Sequence, residues 1–328
     1  MRRMRLRRAL SLLVLAATLA VPATAAASPD VVGQAAPKLV PHSTLPGAGR
    51  FEGPVRRLAV GGIEIGYRQF GHGPDLVMVQ GDTAAMSLWM PYLLHPLAKS
   101  FRVTIFDNRG VGYSTDDLSR PLTVPLMARD TGELIEGLGL DAPTLVGWSM
   151  GGEIGLTLAE QKPALLGALV TTGGDAGSAH TVPPPPGLIR KLANPKAGVN
   201  VFLELLFPPS VAGGAATERF VRGYESIPQE TVSPRTLRRQ EAAEESFLEY
   251  TGTWRGLPGI TTPTLITNGA LDQGVPPINA RRVHARIPGS SLSIYRGAAH
   301  GMLFQDAERF AAQIAKFSAR AEAAAPAR

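Results

Sequence analysis

Residues 145–152 constrain the fold of this chain more than any other stretch of its sequence. They contain the pattern Gly-x-Ser-x-Gly from Gly147 to Gly151, directly after an apolar β-like run and directly before a helix-like run. In a sharp strand-to-helix turn of this kind, the serine has a strained backbone and an exposed hydroxyl at the helix N-terminus. Glycine is needed at both ends because a side chain there collides with the neighbouring strand or helix. The alternative is an ordinary Gly/Ser-rich turn, but the strand–helix context favours a reactive serine at Ser149.

Short apolar runs alternate with helix-like segments on both sides of Ser149. Residues 57–70 predict a β-hairpin around Gly61 and Gly62, and later runs predict buried strands separated by helices. This alternation is typical of an α/β fold with a mostly parallel sheet covered on both faces. Ligands of such sheets bind at the C-terminal ends of the strands, where we expect Ser149 to lie. We assign residues 55–172 and 258–320 to this core.

The strand–helix alternation stops between residues 173 and 257. Four consecutive prolines begin at Pro183, no strand-like run follows, and a polar helix-like stretch covers residues 235–250. We interpret 173–257 as a helical cap inserted over the active edge of the sheet. A disordered loop is the alternative, but the segment has enough apolar residues to pack. These are Phe202, Leu203, Leu205, Leu206, Phe207 and Phe220.

Residues 1–27 have the layout of a secretory signal peptide. Arginines crowd the first eight residues, an apolar run extends from 9 to 21, and small residues with an Ala-x-Ala pattern follow. A membrane-anchoring helix is the alternative, but the apolar run is shorter than the roughly 20 residues that span a bilayer. We therefore expect a secreted protein without a stable membrane anchor. Residues 28–54 predict a flexible lead-in, and residues 321–328 predict a frayed tail.

The net charge of the chain is misleading about its partners. Lys and Arg number 33 against 27 Asp and Glu, a net charge of +6, but 5 of the arginines and none of the acids lie in residues 1–27. The remaining 28 basic and 27 acidic residues leave a net charge of +1, which gives no electrostatic case for binding to nucleic acid or to an anionic membrane.

The chain has no cysteine and no paired histidines at ligand spacing, so no metal site is predicted. No cofactor is expected either, because Gly110-Val111-Gly112 lacks the third glycine of a dinucleotide-binding loop.

A serine hydroxyl needs a base to take its proton, and the base needs an orienting acid. Of the six histidines, only His300 follows a late strand in a loop from which an imidazole can reach over the sheet edge. Asp272 lies just past a predicted strand, before His300 in the chain. Asp175, after the strand that follows the Ser149 helix, is a second candidate for the acid. We favour Asp272 as the orienting acid.

The order Ser149, Asp272, His300, together with the Ser149 turn and the run 107–114, resembles the α/β-hydrolase superfamily. The similarity is to its single-chain members with a helical cap and covers roughly residues 55–320. It implies an eight-stranded, mostly parallel sheet with helices on both faces. It also implies that Ser149 is the nucleophile, His300 the general base and then acid, and Asp272 the residue that orients His300. Haloalkane dehalogenases and epoxide hydrolases resemble this fold but attack with aspartate, so the serine argues against them.

An oxyanion hole in this family takes two backbone N–H donors. The resemblance implies Met150, just after the nucleophile, as one donor, and the loop after Val79 as the source of the other. Relatives commonly have His-Gly in that loop, whereas this chain has Gln-Gly-Asp-Thr at residues 80–83, which places Asp82 at the second donor. An ionised carboxylate about 5 Å from an oxyanion costs about 3 kcal/mol at an effective dielectric constant near 20. We therefore expect the Asp82 side chain to turn away, to be paired, or to be protonated during turnover.

These features predict a secreted serine hydrolase that cleaves a carboxylic ester or related acyl bond of a small molecule. A perhydrolase or haloperoxidase-like activity without a cofactor is one alternative, with peroxide in place of water. A ligand-binding protein with little turnover is another. A peptidase that releases N-terminal residues is a third, and it needs acidic cap residues to hold the amine. Glu241, Glu244 and Glu245 are available for this, but their simpler interpretation is a solvated helix face.

Overall fold

An eight-stranded sheet forms the centre of the molecule. The computed structural model describes residues 54–192 and 198–324, so the predicted signal peptide and almost all of the predicted lead-in lie outside it. The strands are β1 (Arg56–Val60), β2 (Ile63–Gly71), β3 (Asp75–Val79), β4 (Arg102–Phe106), β5 (Thr144–Trp148), β6 (Ala168–Thr172), β7 (Thr264–Gly269) and β8 (Ser291–Tyr295). Their order is β1-β2-β4-β3-β5-β6-β7-β8. Only β1–β2 and β2–β4 pair antiparallel, which confirms the predicted mostly parallel sheet.

The central strands are buried on both faces. Every residue of β5 and β6 is buried, as expected for parallel strands covered by helices on both sides. Alternate residues of β3 enter opposite cores, because successive side chains of a strand point to opposite faces. Leu76 and Met78 pack into one core, and Val77 and Val79 pack into the other. The C-terminal ends of the parallel strands meet at one edge of this layered core.

The hairpin predicted at residues 57–70 is confirmed as β1 and β2. Its two-residue turn has Gly61 at φ 54° and Gly62 at φ 82°. These left-handed conformations match the twist of the two strands, and glycine adopts them without steric cost. The turn brings Val60 opposite Ile63, so the register of the antiparallel edge follows from these two glycines.

Ten α-helices accompany the sheet in the described ranges. They are α1 (Pro91–Ala98), α2 (Val124–Gly137), α3 (Met150–Gln161), α4 (Pro186–Leu192), α5 (Gly198–Leu206), α6 (Val211–Glu225), α7 (Pro234–Ser246), α8 (Pro277–Arg286), α9 (Met302–Gln305) and α10 (Ala307–Ala324). Leu93 of α1 and Phe310 of α10 lie in one core, and Leu134 of α2 and Ile154 of α3 lie in the other. Helices therefore cover both faces of the sheet. Within the described ranges, none of them is long and apolar enough to cross a membrane.

Helices α4 to α7 lie between β6 and β7, where the sequence predicts a cap. The described part of residues 173–257 contributes no strand to the sheet. Phe207 and Phe220 are buried, and the Phe220 ring meets Phe304 of α9 edge to face, with centroids 5.2 Å apart. The polar stretch predicted as helical forms α7 and continues as a π-helical turn over Phe247–Thr251. The inserted segment is therefore helical and packs its apolar side chains on the core.

The frayed tail predicted from residue 321 is wrong for residues 321–324. Helix α10 continues to Ala324. Ala321 is only 8% exposed. Its burial stabilises this part of the helix, and the alanine-rich composition gave no indication of that burial. Residues 325–328 lie outside the described part of the chain.

A buried ion pair joins the loop after β4 to the helix layer. Arg109 is 1% exposed and donates two hydrogen bonds to Asp130 of α2, at 2.8 and 2.6 Å. Its other terminal nitrogen lies 3.9 Å from Asp116, which pairs with Arg239 of α7 at 3.0 Å. These charges connect the core to the cap through one network. Removing a single buried member leaves the others without their partner.

We expect Arg109→Met to destabilise the protein by about 3–5 kcal/mol, because it leaves Asp130 buried without its arginine. Arg102→Met is the matched control, since the Arg102–Asp75 pair has its arginine 47% exposed and is worth at most about 1 kcal/mol. Urea unfolding of both variants gives the two losses. Equal losses would contradict a special role for the buried pair.

Candidate active site

The turn at Ser149 has the strained geometry that the sequence predicts. β5 ends at Trp148 and α3 begins at Met150, so Ser149 alone forms the turn. Its φ of 57° and ψ of −125° are rarely adopted by residues other than glycine. A Cβ atom on Gly147 would meet the Gly151 carbonyl oxygen, and one on Gly151 would meet the Val79 oxygen, both well inside the 3.0 Å that real Cβ atoms keep. Close backbone approach therefore requires both glycines.

The loops after β7 and β8 bring Asp272 and His300 together. His300 Nδ1 lies 2.8 Å from Asp272 Oδ2, and both side chains are buried. The other carboxylate oxygen of Asp272 accepts N–H groups from Gly274 and Val275, each at 2.9 Å. These bonds fix the carboxylate, which holds the Nδ1–H tautomer and leaves His300 Nε2 as a proton acceptor.

Contacts on two sides position the His300 ring. The indole N–H of Trp148 donates to the His300 carbonyl oxygen at 3.1 Å, and the two ring centroids are 5.3 Å apart. A Cβ atom on Gly173 would lie 3.2 Å from His300 Nδ1, and one on Gly174 would lie 2.9 Å from the Ser149 carbonyl oxygen. The two adjacent glycines therefore let the histidine and the serine lie side by side.

The Ser149 hydroxyl and His300 Nε2 are not hydrogen-bonded to each other in this structure. Hydrogen bonds of catalytic groups are often long without substrate and tighten in the reacting complex. The structure therefore places Ser149 near the Asp272–His300 pair, and the hydrogen bond from the Ser149 hydroxyl to His300 Nε2 is not formed.

The carboxylate of Asp175, the second candidate for the orienting acid, is engaged elsewhere. One of its oxygens accepts the Gly177 N–H at 2.7 Å and the Thr181 hydroxyl at 3.0 Å. Burial raises the pKa of Asp175 above its ordinary value. Asp272 rather than Asp175 is therefore the acid that reaches His300.

Both N–H groups predicted for an oxyanion hole are available. Met150 is the first residue of α3, and an N–H at that position has no acceptor within the helix. The loop after β3 abuts the nucleophile, since a Cβ on Gly81 would lie 3.0 Å from Ser149 Cβ. Within the described ranges the Asp82 N–H makes no hydrogen bond, whereas the next N–H, of Thr83, donates to Gln240 Oε1 of α7 at 2.8 Å.

The Asp82 side chain is buried at its carboxyl end and has no cationic partner among the described residues. Both carboxyl oxygens are buried and have no hydrogen-bond partner in that part of the chain, although the residue as a whole is half-buried. Burial raises the pKa of Asp82 well above its ordinary value, and Glu244 and Glu241 raise it further. Of the three outcomes expected from the sequence, the structure favours a protonated carboxyl.

Two acids absent from the predicted site lie near Asp82. Glu153, in the first turn of α3, is 2% exposed, and its pKa is raised well above the ordinary value by burial, then by Asp175, Glu244 and Asp82. Glu244 of α7 is 7% exposed, and burial, followed by Asp175 and Glu241, raises its pKa to about 8. The interpretation of Glu244 as part of a solvated helix face is therefore wrong.

The spacing of α7 contains the signal that identifies Glu244 as buried. A helix buries residues three or four positions apart on one face. The buried residues of α7 follow this period and are Thr236, Leu237, Gln240, Ala243 and Glu244. No such pattern identifies Glu153, because its position in the sequence indicates only an acid in the first turn of a helix.

Among the described residues, no group of three or more His, Cys, Asp or Glu side chains is arranged to hold a metal ion.

Residues 74–307 match the family model described as alpha/beta hydrolase fold. The chain belongs to the α/β-hydrolase fold family. The matched range includes Ser149, Asp272 and His300, together with most of the sheet and the whole cap. An α/β-hydrolase fold protein from Chitinophaga pinensis superimposes on the chain with a TM-score of 0.70. It has 25% sequence identity to the chain, and the alignment covers 81% of this chain and 97% of that protein.

Two relatives are similar to the chain over most of their own length. "Putative carbamate hydrolase RutD" of Caulobacter sp. (strain K31) is 28% identical over 269 residues, which cover 76% of this chain and 94% of the relative. The 2-hydroxy-6-oxononadienedioate/2-hydroxy-6-oxononatrienedioate hydrolase 2 of Pseudomonas putida is also 28% identical, and the alignment covers 76% of this chain and 89% of the relative. Both are named as hydrolases, and their named substrates differ.

We expect Glu244→Gln to flatten the dependence of stability on pH. The pKa of Glu244 is raised from 4.5 to about 8 in the folded protein, so the folded state holds this proton more tightly than the unfolded chain. The resulting stabilisation is complete below pH 4.5 and is lost as the pH rises through 8. Glutamine stays neutral, so the variant should exceed the parent by on the order of 2–4 kcal/mol at pH 9 and match it at pH 4.

Urea unfolding at the two pH values measures this effect. Glu245→Gln, on the neighbouring position of α7, is the control and should follow the parent at both values. If Glu244→Gln also follows the parent, the buried carboxyl does not carry a raised pKa.

Proposed function

We propose that the protein is a secreted serine hydrolase that cleaves a carboxylic ester or a related acyl bond through an acyl-enzyme on Ser149. The observation that carries the proposal is the strained Ser149 beside the buried His300–Asp272 pair, whose hydrogen bond is 2.8 Å long. A hydroxyl, an imidazole and a carboxylate in these roles provide nucleophile, base and orienter. The signal-peptide pattern of residues 1–27 supports secretion.

The proposed reaction proceeds in two steps. His300 Nε2 takes the proton of the Ser149 hydroxyl as its oxygen attacks the acyl carbon, and the resulting oxyanion accepts hydrogen bonds from the Met150 and Asp82 N–H groups. The imidazolium then gives its proton to the leaving alcohol, and the acyl group stays on Ser149. In the second step, His300 removes a proton from water as the water attacks the acyl-enzyme. Collapse of that intermediate releases the acid and returns the proton to Ser149.

The similar proteins support hydrolysis but do not identify the bond that is cleaved, so that part of the proposal is argued from the site. One relative is named for a carbamate and another for a hydroxy-oxo dienedioate, so the shared sequence does not select one substrate. The proposal is supported by two N–H groups near Ser149, at Met150 and Asp82, which donate no hydrogen bond to another backbone group among the described residues. This pair of donors favours acyl transfer, and we therefore propose an ester or related acyl bond.

A fluorophosphonate probe is expected to label Ser149 in the active protein, because it reacts with serines activated by a neighbouring base. Asp272→Asn should lower kcat by about 10³–10⁴-fold, since an amide stabilises the wrong tautomer of His300. Asp175→Asn is the comparison, because that carboxylate bonds Gly177 and Thr181 rather than His300. Active protein that the probe does not label, or a loss in Asp175→Asn as large as in Asp272→Asn, would end this proposal.

The pH–rate profile of Asp82→Asn tests the carboxyl beside the oxyanion site. With its pKa raised by burial and by Glu244 and Glu241, Asp82 is neutral at low pH and becomes charged as the pH rises through that raised value. The rate of the parent on a neutral ester should therefore fall on the alkaline side, by up to about a hundredfold for a charge close to the oxyanion. Asparagine cannot ionise, so the fall should be smaller in the variant. Matching profiles would show that Asp82 is not the controlling ionisation.

A further inference from the structure

Four acidic side chains from separate parts of the fold converge next to Ser149. Asp82 comes from the loop after β3, Glu153 from the first turn of α3, Asp175 from the segment after β6, and Glu244 from the cap helix α7. Glu153 interacts electrostatically with the other three, and each interaction raises its pKa. Acidic side chains of the core and of the cap therefore influence one another's ionisation.

These acids lack cations to balance them. Within the described ranges, none of the four carboxylates forms an ion pair with Lys, Arg or His. The nearby Arg238 acts on Glu241, at the edge of the group. Buried carboxyl groups in folded proteins are paired with a cation or become protonated, so this group can hold either protons or a positively charged ligand.

Unpartnered polar atoms in the same region favour a ligand. Glu153 Oε2 and both oxygens of Asp82 are buried without a hydrogen-bond partner in residues 54–192 and 198–324. Gln240 is 0% exposed and its Nε2 is also without an acceptor. Its Oε1 binds the Thr83 N–H at 2.8 Å, which places the amide beside Asp82, and it lies one helical turn before Glu244 on the same face of α7. A buried amide donor and buried acid acceptors thus lie together.

This combination of atoms selects a particular kind of ligand. An ammonium group offers up to three donors and a charge that matches the acids, while a carbonyl oxygen of the same ligand would accept from Gln240 Nε2. The acids are not arranged to chelate a metal ion within the described residues. An organic ammonium that carries an acyl group satisfies both requirements.

We propose that Glu153, Glu244, Asp82 and Gln240 form a subsite that binds a protonated amine on the substrate. This inference rests on the proposed acyl hydrolysis at Ser149 and names the substrate class as amino-substituted acyl compounds. The subsite is near the nucleophile in the fold, since Glu153 lies one helical turn after Ser149 and Asp82 carries a predicted oxyanion donor.

The subsite also connects substrate choice to the oxyanion hole. A bound ammonium offsets the charge of Asp82 and Glu244, so these acids no longer repel the oxyanion when they ionise. A substrate without the amine leaves that repulsion in place. Because Glu244 has its pKa raised to about 8, binding of an ammonium near neutral pH should ionise this carboxyl and release a proton.

Isosteric pairs of benzyl esters test the proposal. Benzyl esters of glycine, β-alanine and 4-aminobutyrate are compared with benzyl propanoate, butanoate and pentanoate, in which a methyl group replaces the ammonium. We measure kcat/KM at about pH 6.5, where the amines are protonated, by release of benzyl alcohol. At least one amino ester is expected to exceed its isostere by about ten- to hundredfold, the worth of a buried charge-assisted hydrogen bond. The preference should disappear in Glu244→Gln and in Glu153→Gln and persist in Glu245→Gln.

Binding to the Ser149→Ala variant separates this proposal from the proposed hydrolysis. Calorimetry in two buffers of different ionisation enthalpy should show that this variant binds the preferred amino ester more tightly than its isostere and releases about one proton. If fluorophosphonate fails to label Ser149 but this binding preference is found, the subsite stands and the hydrolytic mechanism fails. Equal binding of every pair, or a preference that survives both Glu244→Gln and Glu153→Gln, would overturn the subsite.

Discussion

The strained backbone at Ser149 is the constraint on which the arrangement of the site depends. A residue at φ 57° and ψ −125° persists only where its surroundings hold it. Here β5 is buried throughout, and α3 begins directly after the serine. Gly147 and Gly151 remove the side chains that would separate strand, helix and the end of β3. This close approach brings the loop after β3 against the serine. The predicted oxyanion donors, the histidine loop and Glu153 of α3 are all arranged around that one turn.

A second constraint is electrostatic, because ionised acids near Ser149 would repel the negative charge that develops in the proposed reaction. Buried carboxyl groups surround the place where negative charge develops, and burial raises the pKa of Asp82, Glu153 and Glu244. A neutral acid costs the reaction little, whereas an ionised one repels the oxyanion. The site is therefore compatible with acyl transfer in two conditions, with its acids protonated or with a cation bound among them. The second condition relates the choice of substrate to the rate of the reaction.

Most of the fold follows from local patterns that the sequence shows directly. The strand–helix alternation appears on both sides of Ser149, and the hairpin turn forms at the two predicted glycines, because short apolar runs and turn residues act over a few positions. The acidic group was not accessible in this way. Glu244 has the composition of a solvated helix face, and its burial depends on where the cap lies over the core. Asp175 and Asp272 were both reasonable partners for His300 until the path of the loops placed only Asp272 within 2.8 Å.

The sequence alone determined the order of the elements, the glycines of the Ser149 turn, and Ser149 and His300 as the candidate nucleophile and base. These depend on spacing along the chain and on the conformations that glycine permits. Only the tertiary structure decided which acid lies against the histidine, and that Asp82, Glu153 and Glu244 interact without a cation from the described part of the chain. The acids come from segments of the chain up to 162 residues apart, from Asp82 to Glu244. Their pKa values depend on burial and on mutual repulsion, which arise only once core and cap are packed against each other.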